Sequence, residues 1–345
     1  MSPRLLSSLL LSLVLGVGVL VPSPAALADG IRVGIREAKP NQPGTIRLAS
    51  YNLENLFDNK DDPRYSDRNE DIDDYKPVEE RRALEKAIRE IDADVLAVQE
   101  IESLEALLEF RDDHLKGMGY DHVVSIDVGQ SRGIENAVLS RFPLKDARVW
   151  PNLALGGIHP EMYGDQKNWY AGEPITFRRS PLRVTVEIPA ERAGGEAYEL
   201  VLFNVHNKSG RHNRYWREAE GRKIVSFIQY IEGENPGANI AVLGDFNAQR
   251  GEPSVDMYLT DAAMLDVWGT SFDPDASEQW THASNRRIDL ILVNKGLSRE
   301  IVEGSAFCLG TPMIPRGANW RTTPPPPGYA SDHVPVVVDI VPTDR

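Results

Sequence analysis

Asn239-Ile240-Ala241-Val242-Leu243-Gly244-Asp245-Phe246-Asn247 is an apolar run that ends in a carboxylate and a carboxamide two residues apart. The run reads as a buried strand, and alternate strand residues share a side, so Asp245 and Asn247 present two hard oxygen groups at a sheet edge. Phosphate chemistry is commonly placed at such an edge, because hard cations take oxygen ligands. The same tetrapeptide also fits a plain Asp/Asn turn. Its meaning therefore depends on the other strand ends.

Similar runs recur outward from it: Ile46–Tyr51, Val95–Val98, Asn136–Leu139, Leu182–Ile188, Leu200–Val205, Ile240–Leu243, Leu290–Val293 and Val334–Ile340. Their alternating or continuous apolar character is that of half-buried and fully buried strands. Helical patterns lie between some of them. Residues 79–91 carry Leu84, Ala87, Ile88 and Ile91 on one stripe, and Ser103 is placed to cap a helix bearing Leu104, Leu107 and Leu108. Residues 217–231 carry Ile224, Phe227, Ile228 and Ile231. These stripes read as core packing. With no internal repeat and no clean linker, the chain reads as one mixed α/β (α+β) domain over residues 45–345, preceded by a short extension at 29–44.

The first residues, Met1-Ser2-Pro3-Arg4, the apolar run Leu5 to Val21 and Ala26-Leu27-Ala28 describe a secretory leader cut after Ala28. A membrane anchor is the alternative, but nothing basic follows the run. The expectation is an exported monomer, in the periplasm or the medium, with no stable membrane insertion. Loss of Arg4 makes the formal net charge of −14 one unit more negative. Such an acidic body does not attract polyanions at long range, although a bound divalent cation can invert the local field. Cys308 is the single cysteine and can form no internal disulfide. Stability must then come from core burial, for which roughly 315 residues suffice. Asp58–Asp74 is acidic and turn-rich and reads as an exposed loop, since the central glycine of a calcium-binding EF-hand loop is missing. Thr322–Gly328, with four consecutive prolines, reads as a stiff loop leading into Tyr329-Ala330-Ser331-Asp332-His333.

Polar groups cluster at the ends of these runs. Asn52 and Glu54 follow the first, Gln99-Glu100 the second, and His206-Asn207-Lys208 the strand ending at Val205; Asp289 precedes Leu290, and Asp332-His333 precede Val334. Strand ends of stacked sheets gather on one face, so residues distant in sequence line one cleft. An oxygen-rich set with two histidines suits Mg²⁺, with Mn²⁺ as the alternative, better than zinc. Arg179 in FRRSPL and Lys208 are candidate cations beside the cleft. Arg211 to Arg217, a basic and aromatic segment, is either a substrate-contacting loop or the start of the next helix.

YNLEN, VQEIE, NAVLSRFPL, NVHNKS, GDFNA, RRIDLILVN and SDHVPV occur in that order between Arg47 and Ile340. Together they resemble the endonuclease/exonuclease/phosphatase superfamily, the group of DNase I and the abasic-site endonucleases. The opening YNLENLFD before an acidic loop is similar to its exported bacterial branch. The resemblance implies a four-layer sandwich, with helices outside two packed, mainly antiparallel β-sheets and the site at one edge. It implies Glu100 as main metal ligand, with Asn52, Glu54 and Asp332 near the ion. It also implies His333, oriented by Asp289, as the general base or phosphate holder. Asp245 and Asn247 would position the nucleophile and a phosphate oxygen, and His206 would contact the scissile phosphate or assist the leaving group; Arg179, Lys208 and Arg211 are the substrate-binding candidates. Asn207 departs from the apolar residue frequent at that place in relatives.

The reaction class implied is Mg²⁺-dependent phosphoester hydrolysis, foremost a nuclease-type phosphodiesterase, with nucleic acid among the candidate substrates. A phosphatase or phospholipase C-like activity on a head group uses the same core. The loops at Ile158–Thr176, with Trp169 and Tyr170, and at 211–217 would separate these options. A non-catalytic binding protein on the same scaffold is the alternative from another class.

Overall fold

The alternation within each apolar run decides which layer its side chains enter. In the computed structural model, which describes residues 30–60, 75–130, 132–319 and 322–344, β1 (Ile46–Leu56) turns Leu48 into a central apolar layer and Ala49 and Tyr51 to the opposite face. β12 (Asn239–Asp245) turns Ala241 and Leu243 to that central layer and Ile240 and Val242 away from it. Both faces of each sheet are dry, so these strands read as continuous apolar runs. The leader at 1–28 and residues 61–74 of the acidic loop, with the calcium question attached to it, lie outside the described residues.

Two six-stranded sheets face each other across the central layer. The first runs β15 (Phe307–Cys308), β16 (Val336–Ile340), β1, β2 (Val95–Ile101), β4 (Glu135–Ser140), β3 (His122–Ser125). The second runs β13 (Leu265–Asp266), β14 (Asp289–Val293), β12, β11 (Tyr198–His206), β10 (Leu182–Ile188), β5 (Leu144–Arg148). Each has a central parallel pair, β1/β2 and β11/β12, among antiparallel neighbours. α1 (Val78–Ile91) and α2 (Leu104–His114) cover the first sheet, α3 (Arg214–Glu234) and α4 (Pro253–Thr260) the second. This is the expected four-layer arrangement. A small excursion between β5 and β10 holds β6 (Ala154–Ile158) paired with β9 (Pro174–Thr176), and a hairpin of β7 (Met162–Tyr163) and β8 (Gln166–Lys167).

One local expectation changes and one open alternative is resolved. α2 buries Ala106, Leu107 and Phe110, while Leu104 and Leu108 are half-buried, because the Ser103 cap starts the helix in a phase that points the large Phe110 ring inward. α3 begins at Arg214 after a 3₁₀ turn over Arg211–Asn213, so 211–217 is chiefly a helix start. The described part of the extension packs on the body: Val33 is in the central layer, and Ile31 and Ile35 bridge to Pro312 and Leu309. No helix among the described residues is long and apolar enough to cross a membrane.

Gly244 is the sharpest backbone constraint. Its φ is +136°, and a Cβ there would lie 2.0 Å from the carbonyl oxygen of Val205, its partner in the parallel pair. Neither backbone can yield without shifting the adjoining His206–Asp245 pair. Gly244→Ala should lower stability by about 3 kcal/mol or more, read as the midpoint of urea unfolding; a loss under about 1 kcal/mol would contradict the close approach.

Candidate active site

One row of the second sheet carries three of the expected residues. His206 of β11 is in register with Asp245 of β12, which is in register with Asp289 of β14. His206 Nε2 lies 3.6 Å from Asp245 Oδ2, and Asp289 holds His333 Nδ1 at 2.8 Å. His333 Nε2 then faces Asp332 at 3.7 Å and Asp245 at 3.9 Å. Asn247 follows Asp245 with φ +51° and donates to it from backbone N (2.8 Å) and Nδ2 (2.9 Å).

The first sheet supplies the rest through two adjacent irregularities. The β1/β2 register shifts between Asn52 and Leu56, and the β2/β4 register shifts between Gln99 and Ile101. Glu54, Asn55 and Glu100, at these irregularities, have left-handed backbone, with φ of 50°, 55° and 60°. Such bulges re-aim side chains. β1 thus continues through Asn52 and Glu54 instead of ending before them. The carboxamide oxygen of Asn52 accepts the Glu54 N–H at 3.0 Å, so Asn52 meets the cluster through its NH₂, placed 3.4 Å from Glu100 and 3.3 Å from Asp245. Glu100 also lies 3.5 Å from His206 Nε2. Glu54 accepts from the Tyr329 hydroxyl (2.6 Å) and from the Asp332 N–H (3.0 Å).

Charge is distributed unevenly. Burial drives His206 well below the usual histidine range, helped by Arg179 and His333. For His333 burial acts in the same direction, but Asp289, Asp332 and Asp245 outweigh it and the ring is held protonated. Burial raises Asp245 to about 7, with Asp289 adding to the effect. Glu54 is likewise raised to about 7 by burial and by the Asp332 charge. Asp332 falls to about 2, because His333 and His282 overcome its burial. Crowded carboxylates in a partly dry cleft are the condition that a hard divalent cation relieves. Among the described residues, the groupings whose ligand atoms all lie within 4.8 Å of one another are His282/Asp332/His333 and Asp245/Asp289/His333, which share His333; Glu54 and Glu100 fall in neither.

Arg179 is buried, donates to the Asn207 carbonyl at 3.3 Å and feels Glu100 and Asp245; its Nε has no partner among the described residues. Lys208 is lowered to about 8 by burial and by Arg179, and its ammonium sits 5.9 Å over Trp216. Arg211 is exposed and donates to His212, away from the cluster. The neighbouring aromatics anchor the β6–β9 excursion: Tyr215 bonds His159 and Asn168, and Trp216 donates to the Thr176 carbonyl. A cavity of about 670 Å³ opens beside the cluster, lined among others by Glu54, Glu100, Arg132, His282, Asp332 and His333.

Sequence reading did not flag Arg132, Tyr329 and His282, which line the cavity, Lys76, whose Nζ donates to the Glu54 carbonyl at 2.9 Å, or Glu220. Tyr329 stands just before the Ser331-Asp332-His333 stretch and could have been flagged by that nearness. Glu220 carried no signal, as a lone acid on a helix. In the structure it is fully buried in α3 and accepts the N–H of Arg178 at 3.3 Å and of Lys208 at 2.9 Å, tying together the two loops that carry the site's cations.

The Endonuclease/Exonuclease/phosphatase family profile matches residues 49–333. No curated protein matches the chain by sequence. Among solved structures, the human Nocturnin catalytic domain with bound sulfate is 13% identical, covering 87% of this chain and 95% of that one at a TM-score of 0.52. Truncated TDP2 of Caenorhabditis elegans is 16% identical, covering 86% and 97% at 0.53. An endonuclease/exonuclease/phosphatase of Bacteroides vulgatus is 15% identical, covering 86% and 98% at 0.51. At these identities the likeness is one of fold.

Glu220 generates a pH test. Burial raises its carboxyl to about 7, against the pull of the two N–H groups and of Arg179. A raised folded-state pKa gives stability that is full below the unfolded value of about 4.3 and lost as pH rises through about 7. Thermal unfolding should therefore show the parent losing stability relative to Glu220→Gln, whose neutral amide does not titrate, as pH rises from about 5 to about 8; a difference that stays constant with pH would contradict it. The sequence profile, the two-sheet fold and the strand-end cluster agree: the chain belongs to the endonuclease/exonuclease/phosphatase family.

Proposed function

We propose that the protein is an exported, Mg²⁺-dependent phosphoesterase, foremost a phosphodiesterase of nuclease type. The observation that carries this is the Asp289–His333 pair facing Asp245, Asp332 and the first-sheet carboxylates beside an open cavity. Export rests on the leader reading at residues 1–28.

Glu100, Glu54 and Asp332 would hold the cation, with Asn52 aligning Glu100 through its NH₂. When bound, the cation offsets phosphate charge and stabilises the leaving oxygen. The chain's own groups do the rest. His333, fixed by Asp289, directs Nε2 toward the reacting phosphate, and buried Arg179 adds positive charge from the side of Asn207. Asp245 is oriented by donors from Asn247 and Asn52 and stands where it can accept a proton from the attacking water. Neutral His206, between Glu100 and Asp245, meets the phosphate without adding charge.

The exposed Trp169 (94% exposed), with Ile158 and Met162 in the same excursion, favours a second reading, a phospholipase C-like action on a lipid head group. A Mg²⁺ assay on DNA, RNA, bis(p-nitrophenyl) phosphate, inositol phosphates and phosphatidylcholine vesicles separates the readings. Diester cleavage is expected; cleavage confined to monoesters would overturn the diesterase assignment, and lipid cleavage alone would select the second reading. In the same assay His333→Ala should reduce turnover by about 10²- to 10⁴-fold with the fold intact, and Glu100→Ala should raise the Mg²⁺ requirement. Near-normal turnover in the first variant would contradict its role.

A further inference from the structure

His282 belongs to none of the motifs that identify the family, yet it touches the site. Its Nε2 lies 3.2 Å from Asp332 Oδ2, and its ring meets that of His333 edge-on, with centroids 4.6 Å apart. The other ring nitrogen settles the tautomer. The backbone N–H of Ser284 donates to His282 Nδ1 at 3.0 Å, and the Ser284 hydroxyl is 2.7 Å from the same atom. A nitrogen that accepts a backbone N–H carries the lone pair, so in the neutral ring the proton is on Nε2 and is donated to Asp332.

The loop bearing His282 is braced on three sides. Ala283 N–H donates to the Asp332 carbonyl at 2.7 Å, and Val334 N–H donates to the Thr281 carbonyl at 2.8 Å. The buried Thr281 hydroxyl oxygen accepts the N–H groups of Ile288 and Asp289, each at 3.0 Å. From the N-terminal extension, Arg32 donates to Asn285 Oδ1 (2.7 Å), the Ala283 carbonyl (3.0 Å) and the Ile314 carbonyl (3.1 Å). Such rigid support is what a group needs if it is to orient another.

We propose that His282 is a positioning residue: its Nε2–H fixes the Asp332 carboxylate by one oxygen and leaves the other turned toward His333, and Arg32 keeps the loop in place. The inference rests on the metal-dependent phosphoesterase reading, in which Asp332 is a cation ligand. Partners that orient a ligand commonly govern affinity or activity by about 10- to 100-fold.

Three measurements on the full chain test it. Long-range ¹H–¹⁵N correlation of the His282 imidazole should show the Nε2–H tautomer; the Nδ1–H tautomer would overturn the proposal. Mn²⁺ titration followed by electron paramagnetic resonance requires no turnover. His282→Ala should weaken Mn²⁺ binding by about 10- to 100-fold with an unchanged melting point, and His282→Gln, which returns an N–H near the Nε2 position, should recover to within about threefold. Parent-like binding in the alanine variant, or a glutamine variant as weak as alanine, would overturn it. The same order should hold for the Mg²⁺ concentration giving half-maximal hydrolysis of bis(p-nitrophenyl) phosphate. Should Mn²⁺ binding follow the expected order while no phosphoester is cleaved, the functional reading fails and the positioning role stands.

Discussion

A single amide pair, Gln99 on β2 and Asn204 on β11, fastens the two sheets beneath the site. Gln99 Nε2 donates to Asn204 Oδ1 at 2.7 Å and to Ser50 Oγ at 3.2 Å, while Asn204 Nδ2 donates to the carbonyls of Val98 and Ala137, each at 2.9 Å. Asn136 Nδ2 extends the network to the Ser180 carbonyl at 3.0 Å. Apart from the Asn52–Asp245 contact at its edge, the rest of the layer is largely apolar and would tolerate sliding, since hydrophobic packing is non-directional. A buried amide left unpaired costs about 1–3 kcal/mol, so displacing the sheets would break the bonds that join Gln99, Asn204 and Asn136, even though Gln99 Oε1 and Asn136 Oδ1 have no partner among the described residues.

The placement matters because the network's members are near neighbours of the site residues. Ser50 precedes Asn52 by two, Gln99 adjoins Glu100, and Asn204 precedes His206 by two. Fixing the amides therefore fixes the separation of the first-sheet carboxylates from the His206–Asp245–Asp289 row. The left-handed backbone at Glu54, Glu100 and Asn247 is a further constraint on the same face. Conformations of that kind persist where the surroundings over-determine them; here the sheets beneath do so, with the Tyr329 hydroxyl donating to Glu54, the Asn52 oxygen accepting the Glu54 N–H and the Asn207 carbonyl accepting from Asn247 Nδ2.

The layers, and the gathering of polar strand ends at one edge, were legible in the sequence for one physical reason: central strands buried on both faces give continuous apolar runs, and polar residues at their ends have few places to go but the sheet edge. The strands β3, β5 to β9, β13 and β15 were not legible, because they are two to five residues long and several carry exposed polar side chains. His282 and Glu220 were illegible for a different reason. One lies on a loop and the other on a helix, and each meets its partner only through tertiary packing. The 211–217 segment showed a composition suited to substrate contact, yet its aromatics hold the neighbouring excursion in place. Composition reports what a segment can bind, and packing decides what it does bind.

The central claim is that the first-sheet carboxylates, held against the His206–Asp245–Asp289 row of the second sheet, form one cation site for phosphoester chemistry. Anomalous diffraction from crystals soaked in Mn²⁺ tests it most directly. The account predicts a peak in contact with the carboxylates of Glu100, Glu54 and Asp332, on the cavity side of His333. A well-occupied peak held elsewhere, with these carboxylates free of metal, would contradict it.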